Sequence, residues 1–151
     1  MDYQRFFRRK ADEVAKELLG RLLVRNTHKG SIGGKITQVG AYEGGKETKP
    51  REGMKYSAGT IFLMPYRGCN LLNIATDKAG HPSCVEIREI AYDKKKIKGP
   101  GKISNILNIG EDLDGILLGD ELEIHGNSID KSKIKRISGT NDNCLGYFLI
   151  K

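Results

Sequence analysis

The chain contains one segment with a clear helical period, and this segment limits the folds that the sequence can form. Its apolar residues recur at spacings of three and four, at Ala11, Val14, Ala15, Leu18 and Leu19. Acidic residues in the first turn and Gly20 after the last apolar position are typical of a helix start and stop. We therefore predict an amphipathic helix whose apolar face packs against another element.

Most other apolar segments are short and separated by turn residues, which is typical of strands. The predicted strands are Leu22 to Arg25, Ile32 to Tyr42, Thr60 to Met64, Asn70 to Ala75, Cys84 to Ala91, Leu122 to Ile124 and Tyr147 to Ile150. A second helix is predicted from the Gly99–Lys102 turn through Leu107. Because strands and helices do not alternate, the pattern favours an α+β fold with a largely antiparallel sheet. The 151 residues suit a single domain, 1–151.

The composition favours a polyanionic partner. Lys and Arg number 26 against 19 Asp and Glu, and the formal net charge is +7. Such a surplus suits nucleic acid, although it also serves solubility alone. No apolar run approaches the ~20 residues of a membrane span, and the N-terminus lacks the apolar stretch of a signal peptide. We expect an intracellular protein without membrane association.

Cysteine and histidine give no support to a metal centre. Both residue types are few and scattered, at Cys69, Cys84, Cys144, His28, His81 and His125. The cysteines are odd in number and contain no CxxC pair, which argues against a disulfide framework and a thiolate zinc site. The sequence predicts no metal and no cofactor.

Two strands carry residues that are unusual inside a sheet. Gly33, Gly34 and Gly40 interrupt the strand that ends at Tyr42, which indicates a bulge or the close approach of a backbone or ligand. Arg88 lies in an apolar strand, where an unpaired buried charge is costly. Tyr42 is either a core residue or a flat stacking surface, which attracts a cationic alkylated base by roughly 0.5–2 kcal/mol.

Strand alternation gives Arg88 two possible roles. One face should carry Glu86, Arg88 and Ile90, and the other Val85, Ile87 and Glu89. Arg88 is either tied to Glu86 or Glu89 in a structural ion pair, or it lines a functional site.

A hairpin and a glycine-rich turn are further candidates for contact with nucleic acid. The predicted hairpin has a tip of Pro65, Tyr66, Arg67, Gly68 and Cys69. Tyr66 is either an exposed turn residue or a ring that enters a base stack while Arg67 holds a phosphate. The Gly99–Lys102 turn is either an ordinary helix start or a place where backbone N–H groups meet a phosphate. It lacks the spacing of a nucleotide triphosphate loop.

Taken in order, these segments resemble the alkyladenine DNA glycosylase family, also called the methylpurine or 3-methyladenine DNA glycosylases. The resemblance begins with Phe6–Arg9, Glu13–Ala15 and Leu18–Arg25, and continues with ITQVGAYEG at Ile36–Gly44, which is similar to the family's I-V-E-T-E-A-Y-x-G strand. It includes Gly53-Met54, Gly59-Thr60, Tyr66 and Asn73-Ile74, then CVEIR at Cys84–Arg88 and GPGKI at Gly99–Ile103 with Leu107 and Ile109.

The resemblance implies a fold and an activity. The fold would be one domain with a curved, mainly antiparallel sheet, flanking helices and a protruding β-hairpin. The activity would be that of a monofunctional DNA N-glycosylase of base-excision repair, which flips an alkylated purine out of double-stranded DNA and hydrolyses its glycosidic bond. A monomer in the cytoplasm or nucleoid, or in the nucleus of a eukaryote, is expected.

The resemblance also implies roles for single residues. Tyr66 would be the wedge, with Arg67 beside it, and Tyr42 would stack on the flipped base. Asn73 would lie at the pocket edge, Arg88 would help to position water, and Lys102 would lie near the DNA backbone. Further basic residues fall on segments near the expected DNA path, at Lys46, Lys49 and Arg51.

The chain departs from the family at the residues that carry the chemistry. Gly40 stands where the family has its general-base Glu, and Gly146 stands where an Arg is expected. The loop after Tyr42 is shorter, and a His that stacks on the base has no counterpart.

Three interpretations follow from this departure. In the first, the enzyme is active and its base is relocated to Glu86, which shares a strand face with Arg88; Glu43, Glu47 and Glu52 are other options. In the second, the chain binds damaged DNA but has lost the reaction. In the third, it is a basic RNA- or DNA-binding domain.

Overall fold

A computed structural model describes residues 1–43, 56–78, 81, 83–137 and 144–150. The helices are α1 (Tyr3–Phe7), α2 (Ala11–Leu18) and α3 (Pro100–Ile106). The strands are β1 (Leu22–Thr27), β2 (Gly30–Glu43), β3 (Ile61–Tyr66), β4 (Cys69–Thr76), β5 (Ser83–Tyr92), β6 (Lys95–Lys98), β7 (Leu122–His125), β8 (Ile134–Arg136) and β9 (Cys144–Leu149). Short 3-10 turns lie at Glu111–Leu113 and Lys131–Lys133. The amphipathic helix predicted from Ala11 is confirmed as α2.

The described strands form one nine-stranded sheet with the main order β3-β4-β5-β2-β1-β7. Strand β6 pairs with β5, and β9 pairs with both β2 and β8. Each of these pairings is antiparallel. The predicted α+β class with a mainly antiparallel sheet is therefore confirmed. Among the described helices, none is long and apolar enough to cross a membrane.

Strand β2 organises the sheet because it pairs with three other strands. Its first part pairs with β1, its second part pairs with β9, and its other edge pairs with β5. Gly40 consequently lies between Glu86 of β5 and Gly146 of β9.

The apolar core lies on the face of the sheet that α2 covers. Val14 and Leu18 of α2 belong to the same buried cluster as Val39 of β2. Because side chains alternate along a strand, Gly40 and Tyr42 face the other side of the sheet. One face of β2 thus supports the fold, and the opposite face is available for a site.

The pairing of β2 with β5 is irregular just before Gly40. Three successive pairs mark the irregularity, Ile36 with Ile90, Gln38 with Glu89, and Val39 with Ile87. The pairing register therefore skips Thr37 on β2 and Arg88 on β5, so each strand has one extra residue at this place. Such bulge-like irregularities change the direction in which a side chain points.

The predicted alternation of β5 is wrong beyond Arg88. Ile90 belongs to the same buried cluster as Val85 and Ile87, and not to the face of Arg88. Glu89 instead accepts a hydrogen bond from Thr37 Oγ1 at 2.9 Å. Ile90 changes face because the register skips Thr37 on β2 and Arg88 on β5, and strict alternation of side chains does not anticipate such extra residues.

The hairpin is longer and its turn is tighter than predicted. Strand β3 continues to Tyr66 and β4 starts at Cys69, so Arg67 and Gly68 alone form the connection. Their φ angles are 48° and 79°. Two central residues with positive φ are characteristic of the type I′ turn, whose twist matches that of paired strands. Tyr66 is therefore the last strand residue and not part of a five-residue tip.

Helix α3 starts where the glycine-rich turn predicted a start and ends one residue before Leu107. It packs tightly against the turn end of the hairpin, at the first residues of β4. A Cβ at Gly101 would lie 2.7 Å from Cys69 Cβ, and Ser104 Oγ donates to Asn70 O at 2.6 Å. Gly99 N donates to Arg88 O at 2.7 Å, which ties the helix start to β5.

Strand β9, which carries Gly146, is held to the core by Tyr147. This side chain is 6% exposed. Burial raises the pKa of the Tyr147 phenol above its ordinary value of 10.0, the Asp12 carboxylate raises it further, and Arg136 lowers it.

We predict that Thr37→Val lowers the free energy of unfolding by about 1.5–3 kcal/mol, because the buried Glu89 carboxylate loses a hydrogen-bond donor while side-chain shape is kept. Urea unfolding measures this effect. Thr27→Val is the matched control, because the Thr27 hydroxyl makes its hydrogen bond to Gly30 O at an exposed turn. An equal effect of the two substitutions would contradict the prediction.

We predict that the free energy of unfolding falls as the pH rises above 10. The raised pKa in the folded state means that the unfolded chain ionises this tyrosine first. The stability that neutral Tyr147 contributes is complete below the pKa that its phenol has in the unfolded chain. It is lost as the pH rises through the higher pKa that the phenol has in the folded protein. Denaturant unfolding of wild type and Tyr147→Phe across this range measures it. A Tyr147→Phe profile as steep as that of wild type would show that another group is responsible.

Candidate active site

Arg88 is the central residue of the face opposite the core. Its Nε donates a hydrogen bond to Glu86 Oε1 at 3.1 Å, and its Nη2 donates to the Tyr42 hydroxyl at 2.8 Å. The side chains of Arg88 and Glu86 are 18% and 6% exposed. The structure thus brings three of the predicted site residues together. The ion pair of Arg88 is made with Glu86 and not with Glu89.

Two glycines create the space that the Arg88 guanidinium occupies. A Cβ at Gly40 would lie 2.5 Å from Arg88 Nη2 and 2.6 Å from Nε, and one at Gly146 would lie 3.1 Å from Nη1. The two glycines are partners in the pairing of β2 with β9. They are also the two positions at which the sequence departs from the resemblance. The guanidinium therefore fills the space in which side chains at those positions would begin.

Asn73 lies beside this group on the neighbouring strand. It pairs with Glu86 across β4 and β5 and with Phe62 across the hairpin. The residue is fully buried, and its amide is oriented from both ends. Its Nδ2 donates to Leu71 O at 3.0 Å, and its Oδ1 accepts from Cys84 Sγ at 3.6 Å.

The sequence analysis missed the other side chains that surround Tyr42. Phe62 and Cys84 form a small buried cluster against which Tyr42 packs. The Tyr56 ring meets the Phe62 ring edge-on, with centroids 6.4 Å apart and an interplanar angle of 77°. Hairpin register places Phe62 opposite Asn73, so pairing the two predicted strands would have identified it. Tyr56 lies outside the named helices and strands, and no periodic pattern marked it.

The predicted wedge lies at the turn end of the hairpin, away from Phe62 and Asn73. Tyr66 is 50% exposed, and Arg67 Cζ is 5.1 Å from the centroid of its ring. Tyr66 is four positions after Phe62 on β3, which corresponds to about 13 Å. The hairpin therefore presents an aromatic ring and a cation at a distance from the buried site.

The remaining predicted residues are spread around the site. Lys102 is exposed on α3, and Glu43 is half-buried at the end of β2. Other predicted residues lie outside the described part of the chain, namely Lys46, Glu47, Lys49, Arg51 and Glu52. Within the described residues, no group of three His, Cys, Asp or Glu side chains could hold a metal ion.

Comparison with known families covers the strands that carry this site. A family model described as Methylpurine-DNA glycosylase (MPG) matches residues 5–141. The chain belongs to the methylpurine-DNA glycosylase family. The match includes both β2 and β5, on which Tyr42, Gly40, Glu86 and Arg88 lie.

Curated bacterial relatives carry the name "Putative 3-methyladenine DNA glycosylase". The relative from Lactiplantibacillus plantarum is 32% identical over 127 residues, which cover 68% of this chain and 61% of the relative. The one from Ehrlichia ruminantium (strain Gardel) is 31% identical over 126 residues, covering 74% of this chain and 65% of the relative. A third, from Natranaerobius thermophilus, is 31% identical over 143 residues, covering 76% of this chain and 72% of the relative. The chain thus spans less than two thirds of the first two relatives.

We predict that Gly40→Ala displaces the Arg88 guanidinium and leaves the fold intact. The colliding atoms are the far end of a flexible side chain, so the side chain moves while the backbone stays in place. The NMR signal of Arg88 Nε–H should shift to that of a solvent-exposed guanidinium, with the backbone amide spectrum largely kept.

Gly119→Ala is the matched control, because a Cβ there would meet nothing within 4 Å. An unchanged Arg88 Nε–H signal in Gly40→Ala would contradict the idea that Gly40 provides the space for the guanidinium.

Proposed function

We propose that this chain is a DNA N-glycosylase that acts on alkylated purines of the 3-methyladenine type in double-stranded DNA. It flips the damaged base toward Tyr42, on the face of the sheet opposite the core, and hydrolyses the N-glycosidic bond, as a monomer on intracellular DNA. The observation that carries this proposal is the position of Arg88, which joins a buried carboxylate to the Tyr42 ring. Family membership supports the same reaction class.

The chemistry of a cationic purine suits this site. Alkylation at N3 or N7 gives the base a positive charge, and an aromatic face attracts such a cation by roughly 0.5–2 kcal/mol. A cationic base also leaves without help from a general acid, which reduces the demand on the protein. Tyr42 supplies the aromatic face, and its hydroxyl is held by Arg88.

Glu86 is the residue that we propose as general base. The carboxylate would accept a proton from the attacking water, while the hydrogen bond from Arg88 Nε keeps it directed toward the Tyr42 side of the sheet. Its register position opposite Gly40 supports this role, because the resemblance implies a general-base Glu at the position of Gly40. Asn73, on the other side of Glu86, would form the edge of the pocket.

The hairpin and α3 would hold the DNA. Extrusion of a base costs a few kcal/mol of unstacking, and a ring inserted into the stack fills the vacated space. Tyr66 is exposed at the end of β3 and suits this wedge role. Arg67 and Lys102 are cations that would contact phosphates on either side.

A second candidate function is damage recognition without hydrolysis. The Arg88 guanidinium occupies the space beside Gly40 in which a side chain at that position would begin, and the general-base Glu that the resemblance implies there is absent. Stacking and phosphate contacts survive without a general base. This candidate predicts salt-sensitive binding to abasic or methylated DNA with no release of the base.

Single-turnover release of 3-methyladenine from methylated duplex DNA, corrected for spontaneous loss, tests the proposal. We expect release by wild type and a fall of about 10²-fold or more in Glu86→Gln, the lower end of the usual contribution of a general base. Arg88→Ala should also slow release, because Glu86 and Tyr42 lose their shared donor.

Glu111→Gln, in a short turn, is the control and should match wild type. Release by wild type no faster than spontaneous loss, together with retained binding, would overturn the enzyme and favour the second candidate. Release unaffected by Glu86→Gln would leave the enzyme but remove Glu86 as its base.

A further inference from the structure

A basic cleft lies between β6 and α3, apart from the Arg88 group. Its volume is about 360 Å³, and it is lined by Lys96, Ile97, Lys98, Lys102, Asn105 and Ile106. The apolar residues can support the aliphatic stems of the lysines, while the ammonium groups stay at the opening. The cleft therefore combines cations with an amide that both donates and accepts hydrogen bonds.

The positive charge of the cleft is only partly compensated by its described neighbours. Lys96 Nζ and Lys98 Nζ lie 3.7 Å and 3.9 Å from the two oxygens of one carboxylate, that of Glu89. Glu89 is 4% exposed and carries one negative charge for these two lysines, whose side chains, 43% and 76% exposed, stay accessible to a partner. The exposed Lys102 adds a further positive charge from α3.

The cleft has a fixed position relative to the hairpin that carries Tyr66. Gly101, next to Lys102, lies so close to Cys69 that a Cβ would be 2.7 Å from the Cys69 Cβ. Ser104 Oγ donates to the backbone of Asn70 at 2.6 Å. Because α3 packs against the turn end of the hairpin, where Cys69 pairs with Tyr66, a duplex that meets Tyr66 passes close to the helix that lines the cleft.

We infer that this cleft binds the phosphate backbone of double-stranded DNA beside the hairpin. The inference rests on the proposed function in one respect, that the hairpin meets DNA. Lys96 and Lys98 are two residues apart on one strand, about 6.6 Å along it. This is close to the separation of neighbouring phosphates on one DNA strand, so a row of phosphates fits these charges better than a single small anion.

The test is the salt dependence of binding to an undamaged duplex, measured by fluorescence anisotropy for wild type and the triple variant Lys96→Gln, Lys98→Gln and Lys102→Gln. Three lost phosphate contacts should reduce the slope of log K against log salt by about 2.7, since each contributes about 0.9. Between 50 and 200 mM salt, wild type should therefore lose about 40-fold more affinity than the variant.

The control variant removes the same charge elsewhere, through Lys10→Gln, Lys29→Gln and Lys131→Gln. These lysines are exposed, and none of them lines the cleft. The double variant Lys98→Gln and Lys102→Gln keeps the closer partner of Glu89 and covers the case in which the triple variant does not fold. It should reduce the slope by about 1.8.

A slope lowered in the cleft variants and kept in the control supports the inference. Equal slopes in cleft variants and control, or no binding of wild type to duplex DNA, overturn it. Because undamaged DNA is used, base release is measured separately. If the cleft variants lower the salt slope as expected but wild type releases no base, the proposed enzymatic function alone is refuted. If wild type releases the base but the cleft variants keep the salt slope of wild type, the proposed DNA-binding role of the cleft alone is refuted.

Discussion

The hydrogen bonds of one guanidinium connect the elements of the candidate site. Arg88 reaches from β5 to the Tyr42 hydroxyl on β2 and to Glu86 on its own strand. A charge that is mostly withdrawn from water must be paired, because the desolvation of an unpaired ion costs several kcal/mol. The positions of Tyr42 and Glu86 are therefore coupled to each other through Arg88.

Two features of the sheet make this arrangement possible. The irregular pairing near Thr37 and Arg88 allows the core face to keep its apolar residues on both sides of the break while Arg88 points away from them. The absence of side chains at Gly40 and Gly146 then leaves room for the guanidinium above the sheet. Gly40 and Gly146 are thus part of an arrangement in which the Arg88 guanidinium takes up the space that side chains at these positions would need.

The hairpin keeps an exposed aromatic residue apart from the buried group. Tyr66 is exposed beside the type I′ turn at Arg67 and Gly68, about 13 Å along β3 from the buried Phe62. Helix α3 packs against the turn end of the same hairpin through Gly101 and joins it to the lysine cleft. Part of the surplus of basic residues therefore lies in the lysine cleft, and the other basic residues are spread over the chain.

Local patterns in the sequence determined the class of fold, the helix at Ala11, most strand positions and the family, because periodicity and ordered motifs are properties of neighbouring residues. They also placed Arg88 and Glu86 on one face of a strand. Only the tertiary structure decided which acidic residue pairs with Arg88, why Ile90 leaves that face, and that Gly146 lies beside Gly40. These facts depend on register between strands that are distant in sequence, and a single additional residue on each strand changes the register without leaving a local signal.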